Sequence, residues 1–283
     1  MKKVGILVVA AAILATAIGL AVYFVAFHNR GFPVGTISPT GEADGDTFSF
    51  QRTHGASLPS GADRVRLLGI DAPDKCEGDE DPCFLCGERD QAAQGLRQAA
   101  GSEEFRLERY GQASLGRWLG IAYPVRNGDQ SLNERLVREG FARIYKIDAE
   151  SLSDPEFPAG FEERLLEAQV EAALDRVGMW SDPKYNDGVH IVAIRYWGDN
   201  ERVILVNFSE TPTSLSNLTI LGDAKEEPSK IPAGNKTLEA RESESISCLK
   251  GTWRDEGAKV FLVETEPAAA STERKPDYCY RGF

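Results

Sequence analysis

Hydrophobic and polar positions divide the chain into three textures. The first is an uncharged apolar run of 24 residues, Val4 to Phe27, behind Lys2 and Lys3. About 20 such residues span a bilayer core, so this run predicts a transmembrane helix. The second texture mixes both periods of regular structure. "DTFSFQR", after the Asp44-Gly45 turn, and "RVRLLGI" read as strands. "CGERDQAAQGLRQAAG" then carries alanine and leucine at helical spacing up to Gly101. "EFRLERY" alternates apolar and charged residues as a half-buried strand does, and "LGRWLGIAYPVRNGDQ" is a further strand ending on the Asn127-Gly128 turn. "SLNERLVREG" opens with Ser131 and has Glu134 three residues on, the spacing of a reciprocal helix cap, and Gly140 ends it. In "FEERLLEAQVEAALDRVG" the residues Leu166, Val170, Ala173, Leu174 and Val177 share one face of an amphipathic helix that closes at Gly178. Strands, an inserted helix and two more helices predict a small α+β barrel with helices packed on it.

The third texture starts after Trp180, itself expected to be a core residue at the helix end. "VHIVAIRYW", "ERVILVNFS", "LTILGD" and "KVFLVET" are short β-prone runs between polar, Gly and Pro turns, without helical period, which predicts an all-β sandwich. The polar stretch Ser181 to Gly188 reads as a linker. The resulting division is a membrane anchor over 1–30, a barrel domain over 31–183 and a sandwich over 184–283.

Charge and cysteine place these parts. Lysines ahead of the apolar run favour a cytoplasmic N-terminus and set everything after Arg30 outside the cytoplasm. The alternative is a secreted protein, with a signal peptide cut near Ala15 to Ala17. Residues 31–180 carry 16 basic and 27 acidic side chains. That balance argues against a general electrostatic grip on nucleic acid and leaves any phosphate chemistry to local charges. An extracytoplasmic setting allows disulfides, here Cys248 with Cys279 and one pair among Cys76, Cys83 and Cys86. A zinc site on the latter trio lacks a fourth ligand at finger-like spacing. Three histidines, His28, His54 and His190, compose no catalytic triad, so any hydrolytic chemistry falls to water activated by carboxylate and metal.

The carboxylates are suggestively placed. Asp46 stands at the start of one strand, Asp71 at the end of another, and Asp74 in the turn beyond. If the two strands are adjacent, the clustered oxygens suit a hard cation such as Ca²⁺; otherwise these residues only build turns, which Asp does well. Arg66 and Arg117 sit among apolar neighbours, where arginine needs an anionic partner. That partner is either a phosphate, which a guanidinium binds bidentately, or a nearby carboxylate.

Taken in order, "DGDTF", "RLLGIDAPD", "LGR", "SLNERLVREGFARIY" and "EAQVEAALDRVGMWS" resemble the staphylococcal nuclease (thermonuclease) family over roughly Val34 to Ser181. The resemblance implies an OB-fold barrel with helices and Ca²⁺-dependent hydrolysis of DNA and RNA phosphodiesters. By position it makes Asp46, Asp71 and the Ala72 carbonyl calcium ligands, Arg66 and Arg117 phosphate-binding, and Asp74 the group that activates water. Tyr145 falls near the family's substrate-contacting tyrosines. Asp74 replaces the family's glutamate, and Ser114 and Leu115 replace a lysine and a tyrosine before the Gly116-Arg117 pair. These departures leave open an alternative, a nuclease fold that binds nucleic acid or protein at the cell surface with little or no turnover. "ERVILVNFSETPTSLSNLTILGD", "IPAGNKTL" and "GAKVFLVET" resemble the lamin-tail domain, an immunoglobulin-like sandwich, over Val189 to Glu264. That resemblance implies binding or positioning of a partner it does not name.

Overall fold

The computed structural model describes residues 32–42, 44–55, 63–73, 89–112, 116–126, 128–147, 158, 160–195, 201–222, 229–248, 257–264 and 278–281. The expected anchor over 1–30 lies outside them, as do Asp74, Ser114, Leu115, Cys76, Cys83 and Cys86. Among the described residues no helix is long and apolar enough to cross a membrane.

A closed five-stranded barrel forms the first half. Its strands are β1 (Phe32–Glu42), β2 (Thr47–His54), β3 (Arg64–Leu67), β5 (Phe105–Gln112) and β6 (Trp118–Pro124), in the order β1-β2-β3-β6-β5, with β5 returning to β1. This architecture fits the expected OB-type barrel. The closing strand β1 escaped the hydrophobic pattern because Pro33, Gly35, Pro39 and Gly41 interrupt it. The barrel absorbs these residues at register shifts along its pairings with β2 and β5, where the extra backbone leaves the ladder.

"RVRLLGI" proves not to be one strand. β3 stops at Leu67, the chain turns through Leu68-Gly69, and β4 (Ile70–Asp71) leaves the barrel to pair with β7 (Arg143–Ile144). Gly69 has φ +76° and lies against Leu165 and Ile147, so both its backbone conformation and the space around it demand glycine.

Helix α1 (Arg89–Ala100) ends before Gly101 as expected. Helix α2 (Leu132–Arg138) starts on the predicted reciprocal cap: Ser131 Oγ accepts from the Glu134 N–H, and the Glu134 carboxylate accepts from the Ser131 N–H. Helix α3 (Phe161–Asp175) buries more than the predicted stripe, adding Phe161, Leu165, Ala168, Gln169 and Ala172. It is covered on both sides, by α2 and β7 and by the β-rich half. Val177 falls outside the helix and is exposed, because α3 closes on Arg176, a non-glycine residue at φ 54°. The Arg176 guanidinium reaches the Phe208 carbonyl in the β-rich half.

That second half is all-β. β8 (Val189–Arg195), β9 (Arg202–Asn207) and β14 (Ser243–Ser247) form one sheet in the order β14-β9-β8; β11 (Leu218–Gly222), β12 (Ser229–Pro232), β15 (Gly257–Glu264) and β16 (Tyr278–Arg281) form another, in the order β12-β11-β15-β16; and the short β10 (Thr213–Ser214) pairs with β13 (Thr237–Leu238). Ile191, Ile194, Val203 and Leu205 of the first share a core with Ile220, Val260 and Leu262 of the second. The other side of the first sheet joins the barrel's core through Val192, Ile204, Val206 and Phe208. Ser181 to Gly188 is therefore not a loose linker: it follows directly on a 3₁₀ turn (Gly178–Ser181), contains another (Pro183–Tyr185), and buries Tyr185 between Trp180 and Phe208, with ring centroids 5.1 and 5.3 Å away. Trp180 is a core residue, as expected.

Candidate nuclease site

Register brings the site together. Arg66 of β3 lies opposite Thr47 of β2, and the Leu67 N–H donates to the Asp46 carbonyl at 2.8 Å. Asp46, immediately before β2, is 2% exposed. Its Oδ2 accepts from the Ala72 N–H at 2.8 Å, its Oδ1 accepts from the Thr47 hydroxyl at 3.1 Å, and Arg66 Nη1 pairs with the same Oδ1. Arg66 Nη2 donates to Asp71 Oδ1 at 3.0 Å. One guanidinium thus bridges two carboxylates, that of Asp46 just ahead of β2 and that of Asp71 in β4, although β4 pairs with β7 and not with β2.

Arg117 joins from the far side of Thr47, its Nη1 donating to Thr47 Oγ1 at 3.4 Å. It follows Gly116 at φ +72°, the turn that delivers the side chain just before β6 begins. Ala72 contacts Asp46 through its amide nitrogen. Asp74 lies outside the described residues. Tyr145 lines a cleft with Gly69, Ile147, Leu165 and Arg195, and its N–H donates to the Gly69 carbonyl at 2.9 Å. Cys248 Sγ lies 3.6 Å from the Ile246 carbonyl, while Cys279 lies in β16 opposite Lys259 and its side chain is outside the described set.

Two participants went unselected at the level of sequence. Thr47 lies inside "DGDTF" and links Arg117 to Asp46. Arg143 in β7 stands opposite Asp71 in the β4–β7 ladder, its Nη2 3.9 Å from Asp71 Oδ2, with its side chain 11% exposed. The argument that selected Arg66, an arginine among apolar residues, applies equally to "FARIY".

Gly45 sets how closely the Asp46 turn approaches its neighbours. A Cβ there would lie 2.5 Å from Ala92 Cβ on α1 and 2.6 Å from Ala72 Cβ. Gly45→Ala must therefore separate the turn from Ala72, stretching the Ala72–Asp46 hydrogen bond. Overpacking of this kind costs about 1–3 kcal/mol. A lower urea midpoint with an unchanged m-value is expected; an unchanged midpoint would mean that the turn moves freely.

The tyrosine and acid cluster on the barrel wall is a different environment. Burial, and then the Glu108 carboxylate, pushes the Tyr123 phenol up to about 12, so it holds its proton at neutral pH. Glu108 is itself buried and accepts from Tyr110 Oη at 3.0 Å and from Arg106. Each acid there has a donor at hand, the arrangement of a structural network.

Residues 64–182 match the family model described as staphylococcal nuclease homologue. The chain carries a domain of that family. The nuclease-homologue match includes Arg66, Asp71, Ala72, Arg117 and Arg143, while Asp46 lies outside it, ahead of β2. Protein ParB of Escherichia coli is 32% identical to this chain over 124 residues, 42% of the chain. The chain spans 61% of that relative's length.

The donor set can be weighed against the calcium ion that the family implies. Asp46 and Asp71 are hard oxygen donors held within the span of one guanidinium, which suits Ca²⁺ in kind. Among the described residues no third His, Cys, Asp or Glu joins them in a metal-holding group. Backbone carbonyls, water and substrate oxygens are the remaining donor types for such an ion, as in many Ca²⁺ sites.

Proposed function

We propose that this protein is a membrane-anchored, extracytoplasmic nuclease that hydrolyses DNA or RNA phosphodiesters with calcium. The observation that carries the proposal is Arg66 set between Asp46 and Asp71, with Arg117 one hydroxyl away on Thr47. Two guanidinium groups beside paired carboxylates suit a phosphoryl group flanked by a cation. In this proposal Asp46, Asp71 and the Ala72 carbonyl hold Ca²⁺. The bound ion would supply positive charge against the phosphate oxygens.

The chain's own residues then divide the work. Arg66 and Arg117 bind the non-bridging phosphate oxygens and meet the charge that grows on them. Asp74 accepts the proton of the attacking water. Tyr145 contacts the substrate from the β7 side. The β-rich half, proposed to be an immunoglobulin-like, lamin-tail type sandwich, holds a partner or positions the enzyme. Residues 1–30 anchor the chain with both halves outside the cytoplasm, or are removed on secretion.

The test is cleavage of single-stranded DNA by the folded chain from Gly31 onward. Calcium-dependent cleavage that a chelator abolishes is expected, and Asp74→Asn should lose most of it because the base is gone. General-base contributions run to about 10²–10⁴-fold. Cleavage at the parent rate in Asp74→Asn would remove that residue from its role. A folded chain that binds the strand but never cuts it would instead establish the binding-module alternative.

A further inference from the structure

The ribbon that carries Asp71 is short. β4 and β7 have two residues each, too few to hold a position by pairing alone. Alternate N–H groups of a strand point to opposite sides. Tyr145 donates to Gly69 across the ribbon, so the Ile144 N–H points away from β4, toward α3. A buried backbone donor there needs an acceptor.

Gln169 of α3 supplies it. The side chain is 0% exposed, and its Oε1 accepts from the Ile144 N–H at 2.5 Å. Its Nε2 donates at 2.6 Å to the carbonyl of Val192 in β8. Val192 is where the β8–β9 ladder slips register: Ile191 pairs with Leu205 and Ala193 with Ile204, leaving Val192 without an opposite residue. A bulge of this kind takes a residue out of the ladder and re-aims its groups. Both ends of one buried amide are therefore fixed, one by the strand opposite Asp71 and one by a bulge in the β-rich half.

We infer that Gln169 is a positioning residue for the nuclease site, and that the bulge at Val192 makes the β-rich half part of the site's support. The inference rests on the proposed roles of Asp71 and Arg66. Gln169 holds Ile144, Ile144 holds the register in which Arg143 faces Asp71, and Asp71 in turn fixes one side of the Arg66 guanidinium. A displaced ribbon misplaces a carboxylate and two arginines together.

The experiment uses the full chain in detergent. Gln169→Met keeps the side chain's length and removes both hydrogen bonds. Measured well below its unfolding transition, the variant should show a kcat lower by about 10- to 100-fold, the range for misplacement of about 1 Å, with KM little changed. Amide exchange over residues 143–147 should quicken. Adding Gln169→Met to Arg143→Lys should lower kcat by much less than it does alone, because both changes act on one ribbon. A variant with a lower Tm but with kcat and exchange over 143–147 as in the parent would overturn the inference. Should Gln169→Met fail to fold, the parent chain decides: Ile144 is expected among the slowest-exchanging amides, and exchange as fast as an open turn overturns the inference. Because exchange is independent of cleavage, a protected Ile144 in a chain that cuts no nucleic acid would fault the nuclease proposal and leave the mechanical link standing.

Discussion

Asp46→Asn is expected to remove cleavage almost entirely while leaving a folded protein. The asparagine oxygen can still accept from the Ala72 N–H, the contact that ties the β2 turn to the segment after β4. Its amide nitrogen would face Arg66 with no charge to offer, so the guanidinium keeps Asp71 alone. A cation held by Asp46 and Asp71 would lose one of its two carboxylates. Losing a group that stabilises transition-state charge costs about 10²–10³ in rate. We expect about a thousandfold, or about 4 kcal/mol of transition-state stabilisation. Initial-rate assays over a calcium titration, paired with thermal unfolding, check this. Parental cleavage in a folded Asp46→Asn protein would place the chemistry elsewhere.

Removing residues 189–283 is expected to destroy the nuclease-homologue half rather than release it. Val192, Ile204, Val206 and Phe208 belong to the same core as the barrel and α3, and without them the outward side of α3 faces water. Each buried side chain of this size contributes about 1.5–3 kcal/mol. Four of them approach the whole net stability of an ordinary domain, about 5–15 kcal/mol. The cut also strips acceptors from Gln169 and Arg176 and breaks the Arg195–Glu162 pair at 3.1 Å. Buried groups left without partners add to the loss. The chain from Gly31 to Gly188 should aggregate or unfold at least 15 °C lower than the chain from Gly31 to Phe283, by circular dichroism and gel filtration, since about 1 kcal/mol moves Tm by 2–8 °C over this size range. A monomeric fragment with unchanged Tm would show that the two halves are independent.

These expectations draw on different levels of the molecule. Where a feature depends on neighbours a few residues apart, the amino-acid order was sufficient. The Ser131–Glu134 cap, the stop of α1 before Gly101, the helical face of 161–175 and the β texture beyond Trp180 follow from local geometry and period, and the motifs around Asp46, Arg66, Asp71 and Arg117 singled out side chains that folding sets beside one another. Features fixed by distant partners had no local signal. β1 is broken by prolines and glycines that only a closed barrel with slipped registers accommodates. The split of "RVRLLGI" depends on β7, more than 70 residues away, offering Ile70 and Asp71 a ladder. Tyr185 looks like part of a polar linker until Trp180 and Phe208 enclose it. Gln169 reads as one polar residue on an amphipathic helix; its importance arises because folding brings an unpaired N–H to one end of its amide and a bulged carbonyl to the other. Sequence period reports which face of an element avoids water, whereas the partner that satisfies a buried polar group is chosen by tertiary packing.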